Sequence, residues 1–300
     1  MISYATLLYL SAVFTGIERG GIPGLAPVAM TSLVATSGSA ALSRRLIGLL
    51  IPVCCASDLY ACYAYKESIR WDILRNLVLP VAVGIFFSFL TLGRLDAEDI
   101  RAYVGLALAA LLLFLFVITV IRGGSKDDIL PTSSTAVTPP RSFPKSNVIA
   151  SDPENDSDAP RKTSFSMTLQ DVSRPLMATP VFHAFIGFVA GYLTVVANVA
   201  GLVIIVFLMA MNLPLRAFNG TRSAILLICN GCKLPGQMLL GAIQMTTSDF
   251  VLILPLILAS VLSAYITEKY FVTPKVDQAA FEFMTWLLLA FAATKLVFVF

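Results

Sequence analysis

Four ionisable side chains stand inside apolar stretches of this chain. Glu18 and Arg19 follow the run "YATLLYLSAVFT", Asp58 sits in the middle of "IPVCCASDLYACYAY", and Lys233 lies within "LLICNGCKLPGQMLL", close to Asn230 and Gln237. On insertion scales a charge at the centre of a membrane helix costs about 2.5–3.5 kcal/mol, so each marks a candidate functional position. The chemistry they offer is electrostatic. Lys233 and Arg19 can attract an anion, and Asp58 or Glu18 can carry a coupling proton. The alternative is a fixed structural pair between Asp58 and Lys233. Glu282 and Lys295, near the ends of the last apolar run, are expected to reach an interface instead.

Two breaks in the apolar pattern could supply the rest of an anion site. The first is "GIERGGIPGLAP", residues 16–27, with four glycines and two prolines between apolar runs. The second lies around Asn198 and Gly201 in "VVANVAGLVIIV". A helix that starts in mid-membrane presents free N–H groups and the positive end of its dipole, which favours anions. Gly20, Gly21, Gly24 and Gly201 allow close backbone approach to a ligand, or alternatively close helix packing. Asn198 can cap the helix that follows it, and Arg19 adds a full positive charge at the first break.

Composition fixes the setting of these groups. Hydrophobic residues make up 57% and charged residues 13%, with a mean hydropathy of +0.84. Soluble domains carry about a quarter of their residues as charges, so the chain reads as a multi-pass membrane protein in a lipid bilayer. A net charge of +3 spread along the chain excludes a nucleic-acid partner. The cysteines Cys54, Cys55, Cys62, Cys229 and Cys232 all lie in apolar runs and are expected to pack helices. With one histidine and a single C-x-x-C, neither a metal, a cofactor nor a disulfide framework is expected. His183 is expected at an interface, and Trp71 and Trp286 in the aromatic belts. An intramembrane enzyme would need a metal or paired-aspartate motif that the sequence lacks. The N-terminus reads as a first membrane segment, not a removed signal peptide.

Six apolar runs, 46–65, 74–93, 101–121, 223–242, 250–267 and 281–300, approach the roughly 20 residues that cross a hydrocarbon core. Four shorter runs, 3–17, 25–37, 182–197 and 201–213, form two pairs, each divided by a break. Residues 122–179 are rich in Ser, Thr, Pro and Asp and read as a disordered linker. The linker separates a first membrane unit, 1–121, from a second, 180–300. An offset of 177 residues places Gly24 on Gly201, Ala40 on Ala217, Arg45 on Arg222 and Asp72 on Asp249. The fold expected is therefore an all-α polytopic membrane protein of two homologous repeats, each with a broken or re-entrant helix pair and three spanning helices. Lys66, Arg70 and Arg75 in one loop fit inverted repeats, but a parallel arrangement with the linker outside fits the short loops about as well; the basic linker ends favour a cytosolic linker and inverted repeats. Interrupted segments at matching positions of two repeats are the usual pointer to a transporter site.

These motifs resemble the sulfite exporter TauE/SafE family of membrane permeases. "GIERGGIPG", "LIPVCCASDLY", "WDILRNLVLP" and Gly84 are similar to its first-half motifs, and "GFVAGYLTVVANVAG", "FNGT" and "NGCKLP" to those of its second half. The resemblance covers both membrane units and leaves the linker unmatched. It implies substrate-binding roles for Arg19, Asn198, Gly201, Thr221, Asn230 and Lys233, and a site role for Asp58. It also implies movement of small sulfur-containing or organic anions, coupled to an ion gradient. Fewer consecutive glycines in the first motif, and "AGLVIIV" in place of a Gly-Pro-Pro run in the second, point to altered selectivity.

The function expected is thus a secondary transporter, not an enzyme, for a small anion such as sulfite or an organosulfur or carboxylate ion. Gly20, Gly21 and Gly24 join the substrate site, and Glu18 and Asp58 serve ion coupling. A plasma membrane is the expected location, with an organelle membrane as the alternative, and a homo-oligomer is compatible with the sequence. The competing readings are a receptor or scaffold regulated through the linker, and a passive anion channel.

Overall fold

The computed structural model describes residues 4–26, 28, 29, 33, 40–92, 179–196, 198, 200–211, 213–239, 246–272, 280, 281, 283–288, 290 and 291. Among them the regular elements are all helical. They are α1 (Tyr4–Gly20), α2 (Ala40–Ala64), a 3₁₀ turn (Lys66–Ser68), α3 (Trp71–Leu92), α4 (Pro180–Val196), α5 (Ala200–Ala210), α6 (Leu215–Leu239) and α7 (Thr247–Thr267), the last running into a π-helical turn, Glu268–Val272. The run at 101–121, the linker up to residue 178, Glu282 and Lys295 lie outside the described residues.

Both expected breaks are present. α1 stops at Gly20, and helical geometry resumes at Leu25. Between them Gly21 (φ 134°) and Gly24 (φ 99°) take conformations open mainly to glycine. The second break turns on Asn198 (φ 56°). Asparagine is among the few other residues that tolerate the left-handed region.

Among the described residues, three helical stretches are long and apolar enough to cross a membrane: Arg45–Ala64, Trp71–Thr91 and Asp249–Val272. α6 has 25 residues but lower hydropathy. It begins well before the apolar run at 223, because Asn219, Thr221 and Arg222 turn inward and are fully buried. α5 is apolar all round and buried along nearly its whole length, as expected of a helix in the middle of a bundle.

Small residues bring two helix pairs into close contact. A Cβ on Gly16 would overlap the Ser260 carbonyl, and one on Gly20 would come within 2.5 Å of the Ala264 carbonyl oxygen, so α1 lies directly against α7. Gly84, Gly187 and Gly191 bring α3 and α4 together in the same way, against the carbonyls of Phe188, Leu77 and Val81 respectively. Lipid tails are as apolar as leucine, so such backbone approach supplies much of the attraction between membrane helices.

The apolar interior falls into two main clusters. One joins α1, α2 and α7 through Leu8, Leu50, Val53 and Leu256. The other joins α3, α4, α5 and α6 through Leu77, Ala190, Ile205 and Ile225. His183 corrects its expected interfacial placement. It is 4% exposed, 3.4 Å from the Asn76 amide, with its ring edge-on to Phe207. The tight α3–α4 contact draws it into the second cluster.

Candidate functional site

The charged residues singled out above meet at the seam between the two clusters. Arg19 closes α1, where the chain must turn, so its side chain points inward past the break. Its Nε forms an ion pair with Asp58 Oδ1 of α2, and its Nη1 donates to Glu18 Oε1 at 2.5 Å. The other Glu18 oxygen, Oε2, accepts from the backbone N–H of Ala26 at 2.6 Å, in the first turn after the break. Asp58 Oδ2 accepts from Asn230 Nδ2 of α6 at 2.8 Å. One turn further along α6, Lys233 Nζ donates to Asn198 Oδ1 at 2.5 Å.

A third cation was missed in the sequence. Arg222 is completely buried, donates through Nη2 to the backbone carbonyl of Glu18, and lies over the Phe218 ring. Among the described residues its Nε and Nη1 have no hydrogen-bond partner, and neither polar side-chain atom of the fully buried Asn219 has one. Asn219, Arg222, Leu226, Asn230 and Lys233 recur at the three- and four-residue spacing of one helix face. That stripe, read as a periodicity, was the available signal. Arg222 had instead been matched to Arg45, which makes an ordinary surface pair with Asp249 at 3.2 Å.

Beside these groups is a cavity of about 40 Å³ lined by Glu18, Arg19, Ala26, Cys54, Thr194, Asn198, Ala200, Gly201, Leu226 and Asn230; Asp58, Arg222 and Lys233 are not in the lining, and each bonds to a residue that is. At roughly 10–15 Å³ per water centre, it has room for about three waters, the scale of an anion of a few heavy atoms. Ala200 and Gly201 open α5, so the positive end of that helix faces the cavity. A Cβ on Gly201 would meet nothing within 4 Å.

Several candidate residues stand elsewhere. The Gly20 carbonyl accepts from Tyr65 Oη at 2.7 Å, outside the cavity lining. Gly21 faces Val272, Asn219 and Tyr65, and Gly24 serves the turn. Thr221 Oγ1 accepts from the Arg70 N–H at 3.0 Å, where it ties α6 to the α2–α3 loop. The alternative pair of Asp58 with Lys233 does not form. Arg19 and Asn230 take the two oxygens of Asp58, and Asn198 takes the lysine. Ala26, Cys54, Thr194, Ala200 and Leu226 join the lining without having been anticipated. They carry no charge to distinguish them from other buried residues.

A family model described as sulfite exporter TauE/SafE matches residues 8–296, which includes every residue of this cluster. No curated protein and no solved structure matches the chain.

Proposed function

The chain belongs to the sulfite exporter TauE/SafE family of membrane permeases, and from that premise we propose that it is a secondary carrier of small oxyanions or organic anions, sulfite-like or carboxylate, driven by a proton gradient. One observation carries the reading. The seam buries three cations (Arg19, Arg222 and Lys233) against two carboxylates (Glu18 and Asp58), none more than 5% exposed. Buried charge needs compensation, and with all five ionised this cluster has one positive charge in excess. An entering anion supplies the balance, and the α5 N-terminus and Lys233 lie where it can be held.

Thr194, Asn198, Gly201, Asn230 and Arg19 form the substrate site in this reading, with Lys233 setting its charge. Asp58 and Glu18 are the proton-accepting groups. Protonating either weakens its hold on Arg19 and raises the positive excess, so a proton and an anion favour each other's binding.

The packing supports a two-repeat design with alternating access. Under the 177-residue offset, α1 against α7 corresponds to α4 against α3, and α2 against α6 maps onto itself. The bodies that would move are α1, α2 and α7 on one side and α3 to α6 on the other, each with its own apolar cluster. Neither body is one sequence half. Glu18, Arg19 and Asp58 belong to the first; Asn198, Arg222, Asn230 and Lys233 belong to the second.

The test is uptake of radiolabelled sulfite, thiosulfate and small carboxylates into proteoliposomes, with and without an imposed proton gradient. Saturable, gradient-responsive uptake of one or more of them is expected. Non-saturating uptake indifferent to the gradient would make the protein a channel. No uptake by folded protein would shift the reading to a receptor or scaffold.

A further inference from the structure

We infer that Glu18 is a tethered anion occupying part of the substrate position, and that substrate binds by displacing its carboxylate. If the seam is an anion site, as proposed above, its ligand should be met by a guanidinium and by main-chain N–H groups at a helix start. The Glu18 carboxylate has those partners already: Arg19 Nη1 at 2.5 Å on one oxygen and the Ala26 N–H at 2.6 Å on the other. Glu18, Arg19 and Ala26 also line the cavity. A carboxylate held only to build the fold would not need to border that space.

The backbone of Glu18 is fixed independently of its side chain. Arg222 holds its carbonyl oxygen, and Tyr65 holds the carbonyl of Gly20 two residues on. The side chain can therefore rotate out of the position while the break keeps its shape. What it leaves behind is one guanidinium edge and one N–H, facing Asn198 and Gly201 across the cavity. An oxyanion with two or more oxygens replaces both contacts at once.

Competition of this kind couples charge to occupancy. A carboxylate on Arg19 and Ala26 competes with the substrate, and a neutral or shorter side chain at position 18 leaves both partners to it. The ionisable groups around Glu18 are Arg19 on α1, Asp58 and Cys54 on α2, and Arg222 on α6. Tyr65 and Lys233 stand one contact further away, and Glu268 at the end of α7 is felt only through Tyr65. Asp58 already has two partners in Arg19 and Asn230, neither a main-chain N–H. Its neutralisation should loosen Arg19 without opening Ala26.

The experiment is equilibrium binding of radiolabelled thiosulfate to the purified full chain at about neutral pH. Glu18→Gln, which removes the competing charge, should bind at least roughly tenfold more tightly than wild type. Glu18→Asp, a methylene shorter, should also bind more tightly than wild type, and serves if the glutamine variant does not fold. Asp58→Asn, which leaves the Glu18 carboxylate on Ala26, should gain less than Glu18→Gln. Weaker binding by folded Glu18→Gln or Glu18→Asp, with wild type binding normally, would overturn the displacement and leave the anion site standing. Failure of folded wild type and variants alike to bind would overturn both.

Discussion

The two helix breaks solve the same backbone problem with different chemistry. The first takes two glycines at positive φ and carries its own charges: Glu18 on the N–H of Ala26, with Arg19 between Glu18 and Asp58. The second takes one asparagine at positive φ, carries no charge, and borrows the cation Lys233 from α6. The first is closed on itself, each carboxylate already answered by Arg19. The second has a cation, Lys233, that donates to a neutral amide oxygen, beside a helix start that faces the cavity. In the proposed carrier the two breaks carry unequal duties: the first holds the competing carboxylate and the proton-accepting groups, and the second, with Lys233, attracts the anion.

Removing the cation at each break tests that division most severely. Arg19→Met leaves Glu18 and Asp58 buried without their shared counter-ion, and breaking a buried pair costs about 3–5 kcal/mol. A large fall in melting temperature of the detergent-solubilised protein is expected. Adding Glu18→Gln and Asp58→Asn to the same chain should recover much of it. Lys233→Met leaves only the Asn198 amide unanswered, about 1–3 kcal/mol. If Lys233→Met proved the more destabilising of the two, the contrast would collapse.

The glycines sharpen the same contrast at lower cost. Gly20→Ala drives a methyl into the Ala264 carbonyl and Thr267, an overpacking expected to cost about 1–3 kcal/mol. Gly201→Ala meets open space and should leave melting nearly unchanged while narrowing the cavity and lowering anion affinity. The pair is read by melting and by thiosulfate binding side by side. Equal melting losses would show that both breaks are packing sites alone.

The smallest effect expected is from Asn198→Gly. It relieves a side chain held at φ 56°, worth up to about 1 kcal/mol, but leaves the buried Lys233 ammonium without its acceptor, about 1–3 kcal/mol. The two oppose, so the net fall in melting should be small and thiosulfate binding should change more than melting does. Asn198→Asp, which would pair the lysine with a carboxylate, should weaken binding further.

The breaks were legible in the sequence because glycine, proline and isolated charge have few other reasons to interrupt an apolar run. Asp58, Arg19 and Lys233 stood out for the same reason. Their pairing did not. The offset put Asp58 opposite position 235, and Lys233 two residues away at nearly the same depth. Two residues turn a helix by about 200°, so equal depth does not mean a common face, and Asn230 meets Asp58 instead. Arg222 escaped because it borders the start of the apolar run at 223, where a cation normally reaches water. The packing of α6 against α2 and α3 makes it a core residue. The two-body division was hidden as well, because it depends on α3 and α7 packing with helices of the other half.

The central claim is that the seam carries an anion because Lys233 holds uncompensated charge beside the second break. The most direct measurement is proton-gradient-driven thiosulfate uptake by wild type and Lys233→Met, reconstituted at equal density after both are shown to be folded. Uptake by the variant should fall at least roughly tenfold, the loss of one charge-assisted contact, while wild type saturates and follows the gradient. Uptake by Lys233→Met with unchanged saturation and rate would contradict the account and place the anion elsewhere.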